Sequence, residues 1–209
     1  MRLTHEIVPI TMYMIYSVRA GIMGKREEII EATKALLWEK GYEATSPRDI
    51  QAMSNAGQGS FYHHFASKQE LARVAIEEVV RERIGDFEEA MLLGGRLKDR
   101  VLTFMAQNDQ PLQGCRVGRL VWDSAIQEEE LRLPLDWYFR HLEERLIEIM
   151  KAEQATRKVK LNMPAAQIAL VIMSVIQGSF AVSRAMKRSR AEDARAALLA
   201  FLDVAITDR

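Results

Sequence analysis

Residues 57–68 read GQGSFYHHFASK. Two glycines, three aromatics and two adjacent histidines crowd into one short segment, and three readings compete for it. It is a metal or catalytic site, a packed corner of a core, or a surface built to meet a partner. A helical wheel separates them. At about 100° per residue, Phe65 lies only about 40° from Phe61, while Tyr62, Gly59 and His63 fall about 100–200° away, with Ser60 near 260° and His64 near 300°. The two rings therefore share a buried face. The opposite face carries Gly59, Ser60, Tyr62 and His63, with His64 at its edge. Neighbouring histidines that diverge this much cannot grip one metal, and no HExxH, CxxC or carboxylate at ligand spacing stands beside them.

The flanking sequence gives this segment its setting. Ile29, Ala32, Thr33, Leu36 and Leu37 recur at helical spacing, and Gly41 is placed to end that helix. Ser46 is a good N-cap, Pro47 suits the first helical position, and Asp49 can return a capping bond. Asn55 tolerates the left-handed conformation of a tight turn. Ser67 caps the next helix. The pattern predicts helices over about 25–40, 47–53 and 58–65, then a long one over 68–91. Three short helices with a tight turn between the second and third form a helix-turn-helix. A helix bearing small hydrogen-bonding groups on its free face can lie in the DNA major groove, its N-terminal amides near a phosphate.

The run Gly-Ser-Phe-Tyr-His-His-Phe, followed by Ser-Lys-x-Glu-Leu, resembles the DNA-binding domain of the TetR (tetracycline-repressor-like) family of transcriptional regulators. The resemblance extends from Ile29 to Leu71 through Ala32, Gly41, Tyr42, Thr45, Ile50, Gly59, Ser60, Phe61, Tyr62, His63, Phe65 and Lys68. It implies Gln58 and Ser60 at base edges, Gly59 permitting close approach, and Tyr62 and His63 on phosphates or adjacent bases. His64 would sit at the rim of the contact, Lys68 would reach a phosphate, and Ser46 and Arg48 would hold the opposite groove wall. Three positions depart from the family pattern. Asn55 replaces a turn glycine, Gly57 stands where a capping serine is commoner, and Pro47 replaces a β-branched residue. Charge alone gives no sign of DNA. Between Lys25 and Arg73, seven basic residues face seven acidic ones, so the binding face must draw its positive field from local placement and helix termini, with a modest salt dependence.

The chain of 209 residues is 48% apolar and 28% charged with zero net charge, which is ordinary for a globular protein. Only five prolines interrupt it, and one cysteine, Cys115, excludes an intrachain disulfide and fits a reducing, cytoplasmic compartment. Residues 7–18, IVPITMYMIYSV, are apolar but too short to span a bilayer. They imitate a signal peptide poorly, since Glu6 and Pro9 interrupt the pattern. The preferred reading is that 1–22 is an extension ahead of a start at Met23, followed by the DNA-binding domain over 23–70 and a helical domain over 71–209. That second domain reads as helices over about 96–108, 115–127, 131–153, 164–187 and 191–206. The expected fold is all-α with about nine helices, no membrane span and no cofactor.

Residues 168–176, IALVIMSVI, are apolar nearly all round, so this helix must be covered on every side. A central core helix in a monomer satisfies that; a homodimer is the favoured solution. Its expected interface is Ile172, Val175, Ile176, Ser179, Phe180, Leu198, Phe201 and Leu202. Family resemblance implies an effector pocket, with Phe104, Met105, Cys115, Trp122, Trp137, Phe139 and His141 as candidate walls. Cys115 and Trp122 are seven apart and share a face if the segment is helical. The Gly114-Cys115 pair, before a segment containing Gly118, also resembles a subgroup that includes electrophile sensors, in which the matching cysteine reacts; in this sequence Arg116, Arg119 and a helix N-terminus are placed to lower the thiol pKa. An inert, space-filling thiol is the alternative. The resulting expectation is a ligand-responsive regulator, a repressor released from a palindromic double-stranded operator by a small molecule. The alternatives are a helical protein-interaction module or an enzyme using His141, Glu143 or Cys115. No catalytic residue is assigned, because no nucleophile and base pair is evident.

Overall fold

The computed structural model describes residues 24–107, 110–156 and 158–208. The extension over 1–22 and the start at Met23 lie outside them. Helix α1 (Lys25–Lys40) is followed by α2 (Pro47–Ser54), α3 (Gln58–His64) and the long α4 (Lys68–Leu92). Local chemistry sets each boundary as the sequence suggests. The Ser46 hydroxyl accepts from the Asp49 amide, and the Asp49 carboxylate accepts from the Ser46 amide at 2.8 Å. Asn55 adopts φ 49°, ψ 38°, the left-handed turn between α2 and α3. Ser67 accepts the Glu70 amide, and Glu70 in return accepts the Ala66 amide.

The remaining helices are α5 (Leu97–Ala106), α6 (Glu129–Ala155), α7 (Ala165–Ala185) and α8 (Ala191–Ala205). Two expectations need correction. The helix foreseen over 115–127 is instead two 3-10 turns, Gly118–Trp122 and Ser124–Gln127, so the described residues hold eight α-helices. Asp123 between them is extended (φ −91°, ψ 152°), and its carboxylate is spent on the Tyr42 amide rather than on a helical turn. The fold also contains a small antiparallel ribbon, β1 (Val159–Leu161) against β2 (Ile206–Asp208). Strands of three residues are too short for alternation to be visible in sequence.

The core is continuous through both halves. Ile29, Leu36, Ile50, Phe61, Phe65 and Leu71 close the first three helices onto the start of α4. Further along, Val80, Phe87 and Met91 of α4 meet Val101 and Phe104 of α5, with Tyr138, Leu142 and Leu146 of α6. Helix α4 therefore belongs to both units. Lys34 of α1, almost wholly buried, is held by Glu31 and by Glu78 and Glu82 of α4, which ties the small unit to that shared helix. A buried ammonium persists only when paired in this way.

Candidate nucleic-acid interface and effector cavity

Helix α3 divides its side chains as the wheel predicts. Phe61 and Phe65 are buried, and each truncation to Ala there would cost about 3–5 kcal/mol. Tyr62 is 52% exposed, Gln58, Gly59 and His63 are exposed, and Ser60 and His64 are half-buried. The Tyr62 ring stands edge-on to Phe61 and the His63 ring edge-on to His64, so the inner rings brace the outer ones. A Cβ added to Gly57 or Gly59 would meet no atom of the described residues within 4 Å, and neither residue has a positive φ. Nothing among the described residues requires glycine at these positions. Gly57 gives α3 no side-chain cap, which leaves its first amides open.

The basic residues near this face differ in availability. Arg48, in the first turn of α2, is exposed and has no ion pair among the described residues. Lys68 is half-buried; its ammonium donates to the Tyr42 carbonyl at 2.9 Å and lies 4.0 Å from the centre of the Tyr42 ring. It thus fastens the α1–α2 turn to the start of α4, a role that sequence did not suggest. Lys40 is held by Asp49 at 3.0 Å. The Ser46 hydrogen bonds, first among the causes, and then Lys40 hold the Asp49 carboxyl down at about 2.

The second feature is a cavity of about 590 Å³ between the segment 113–122, Phe139 of α6, and α7. This lies within the usual size range of small-molecule sites, about 300–1,000 Å³. Three of the seven expected wall residues line it: Cys115, Trp122 and Phe139. The other four are elsewhere. Phe104 is buried edge-on against Phe87 with the Arg83 guanidinium over its ring, and Met105 packs at the margin of the core. Trp137 lines a shallow groove with Arg73, Glu77 and Leu133, and His141 pairs with Glu88 at 2.9 Å, bridging α4 and α6. Trp137 and His141 lie one turn apart on a face of α6 away from Phe139, Phe104 and Met105 are neighbours on α5, and only packing reveals which side meets the cavity. Walls that sequence reading missed are Gln113, Arg119 and Val121, together with Gln177, Gly178, Ala181 and Arg184 of α7. Of the α7 residues that line the cavity, only Phe180 is an expected site residue, and then in the subunit interface.

Cys115 is buried beside the Tyr138 phenol, itself raised above its ordinary range by burial and then by the nearby thiol. Arg116 does not turn to the thiol but to Glu82, 3.3 Å away, and to the Trp38 ring. Arg119 donates to the Glu39 carbonyl at 3.1 Å. Trp122 is 87% exposed at the rim.

The expected interface residues also divide. Ile172, Ile176, Leu198 and Leu202 are buried within the subunit and cannot form the outer face expected of them. Val175, Ser179 and Phe201 are half-buried, and Phe180 faces the cavity. The correction has a simple cause: the most apolar positions of α7 and α8 turn inward, and their free faces carry other apolar groups. Leu170 is 56% and Val204 72% exposed, with Val182 and Met186 about half exposed. Helix α7 is also the one described helix long and apolar enough to cross a membrane, a property it shares with core helices of globular proteins.

The most informative wiring connects the two features. The Asp123 carboxylate accepts the Tyr42 amide at 2.8 Å, the Trp38 indole donates to the Gly114 carbonyl at 3.0 Å, and Ser124 bonds Glu43. The segment that walls the cavity is thereby fastened to the end of α1 and the turn before α2.

Comparison with known proteins agrees with this geometry. Residues 29–75 match the family described as bacterial regulatory proteins, tetR family. An uncharacterised HTH-type transcriptional regulator from the lacX 3′ region of Lactococcus lactis is 32% identical over 174 residues, covering 79% of this chain and 84% of that protein. The HTH-type transcriptional repressor KstR2 of Mycobacterium tuberculosis is 38% identical over 64 residues, 31% of this chain and 30% of that one. Among solved structures, a TetR-family regulator from Cytophaga hutchinsonii superposes with TM-score 0.78 at 20% identity, covering 88% of this chain and 96% of that one. The reduced form of E. coli NemR gives TM-score 0.76 at 19% identity, over 88% and 98% of the two chains. At such identities the two structures speak for the fold alone.

Proposed function

The chain belongs to the TetR family and is a DNA-binding transcriptional regulator, and from that premise we propose that it is a homodimeric repressor released from a palindromic operator by a small molecule in the α6–α7 cavity. The observation that carries the DNA contact is the division of α3. Buried Phe61 and Phe65 fix the helix, while Gln58, Gly59, Tyr62 and His63 stand outward from it. Glycines that the fold itself does not need suit close approach of a DNA backbone to the start of the helix. Ser60, His64, Arg48 and Ser46 complete the proposed contact. Lys68 contributes first as a strut and adds charge near a phosphate.

In a dimer the two α3 helices enter successive major grooves about 34–36 Å apart. The exposed apolar face of α7 and α8, around Leu170, Val182 and Val204, is the surface proposed to meet the second subunit. Filling the cavity moves the 113–122 wall, and the Asp123–Tyr42 and Trp38–Gly114 bonds carry that movement to the α1–α2 turn. Displacement of α6 against α4, where His141 and Arg145 both hold Glu88, adds a second route. A coupling of about 1–3 kcal/mol changes operator affinity roughly 5–150-fold.

Selection of bound sequences from random duplexes tests the reading, with a two-fold palindrome expected. The Tyr62→Ala, His63→Ala double variant should lose that operator while keeping its fold and oligomeric state, because both side chains are outward. A wild-type protein that binds no duplex at low salt would favour the protein-interaction alternative instead.

A further inference from the structure

The cavity has an electrical character that its apolar walls conceal. Arg119 and Arg184 both line it, and among the described residues no aspartate or glutamate does. Neither guanidinium has an ion pair among the described residues. Arg119 spends one donor on the Glu39 carbonyl, while its Nε is buried without a hydrogen-bond partner among the described residues. Burial first, and the Arg184 charge second, lower the Arg119 pKa from its ordinary value against the opposing pull of Asp123, so the two cations lie within electrostatic reach of each other. Arg184 is exposed, whereas the Arg119 Nε is buried without an acceptor among the described residues, beside Val121, Phe139, Phe180 and Trp122, and the nearby Asp123 charge offsets only part of the cost of its burial. An arginine fork is suited to a carboxylate, and the surrounding walls to a hydrocarbon or aromatic body.

We propose that the cavity takes an amphipathic anion, a carboxylate with an apolar body, whose charge sits between Arg119 and Arg184. The inference rests on the effector reading above and narrows it to a ligand class. A neutral molecule of the same shape fills the apolar walls equally well but offers the buried Arg119 donor no charged partner. Discrimination therefore comes from the arginines, and affinity for the body comes from the aromatic walls.

The probes are decanoate and 1-decanol, measured by isothermal titration calorimetry near neutral pH, where decanoate is ionised. Decanoate should bind the wild type at least about tenfold more tightly than decanol, as charge-assisted hydrogen bonds to arginine require. The Arg119→Gln, Arg184→Gln double variant should lose that advantage and keep the decanol affinity, which also reports that its cavity is intact. Equal binding of both probes by the wild type would overturn the anion proposal and leave the cavity reading standing, as would a decanoate preference that survives in the double variant. Failure of both probes to bind would remove the cavity as an effector site and the proposal with it.

Discussion

Asp123→Ala removes a carboxylate that accepts the Tyr42 amide at 2.8 Å, from a position 81 residues away in sequence. Tyr42 is half-buried, and an amide left there without its acceptor costs about 1–3 kcal/mol. For a chain of this size each kcal/mol lowers Tm by about 2–4 °C, so a fall of roughly 2–12 °C is expected. Gly41→Ala attacks the same contact from the other side. Gly41 sits at φ 85°, ψ 176°, a conformation that only glycine adopts readily, and an added Cβ would lie 2.3 Å from the Asp123 carboxylate oxygen. The backbone strain costs about 1–3 kcal/mol, and the clash adds to it. In the Asp123→Ala background the clash is gone and the strain remains. Gly41→Ala should therefore cost less there than in the wild type, with a coupling of about 0.5–3 kcal/mol between the two positions. Thermal unfolding of the four proteins gives the cycle, and amide exchange at Tyr42 gives the local opening. A Tm for Asp123→Ala within a degree of the wild type, with unchanged exchange at Tyr42, would refute the brace. Additive losses in the cycle would refute the clash. Operator affinity reads the functional half: an affinity unchanged in Asp123→Ala would make the contact structural and not a conduit.

Two further outcomes follow from the same structure. Asp49 titrates at about 2 in the fold against an ordinary value near 4, so its contribution is fully present above about pH 4 and is lost as pH falls toward 2; Asp49→Asn should flatten that part of the acid stability curve, measured by thermal unfolding against pH. Leu170→Arg together with Val204→Arg places charge on the free apolar face of α7 and α8, and sedimentation should show monomers of unchanged helicity, whereas an unchanged dimer would exclude this face as the interface.

Much of the fold was legible because its signals are local. The Ser46–Asp49 capping box, the Asn55 turn, the Ser67 cap and the helical spacing of the apolar residues each act within a few positions of the chain. The two faces of α3 followed from the same periodicity. Apolar composition misled where a helix is apolar on several sides. Ile172, Ile176, Leu198 and Leu202 looked like an interface and are core. The segment 115–127 misled because helical propensity is a weak prior that a single tertiary bond can override.

By itself, then, the sequence determined the first four helices, the turn, the caps and, of the outward row, Gly59, Tyr62 and His63, since each depends on neighbours within one or two helical turns; Ser60, expected beside them, is half-buried. Only the tertiary structure decided that Arg119 and Arg184 share one cavity with Cys115, Phe139 and Phe180, that Lys68 braces Tyr42, and that Asp123 fastens the cavity wall to the reading head. Those contacts join residues 26 to 81 positions apart or lying on three separate elements. No periodicity records such a distance; it is fixed when α4, α6 and α7 pack and choose which of their faces meet.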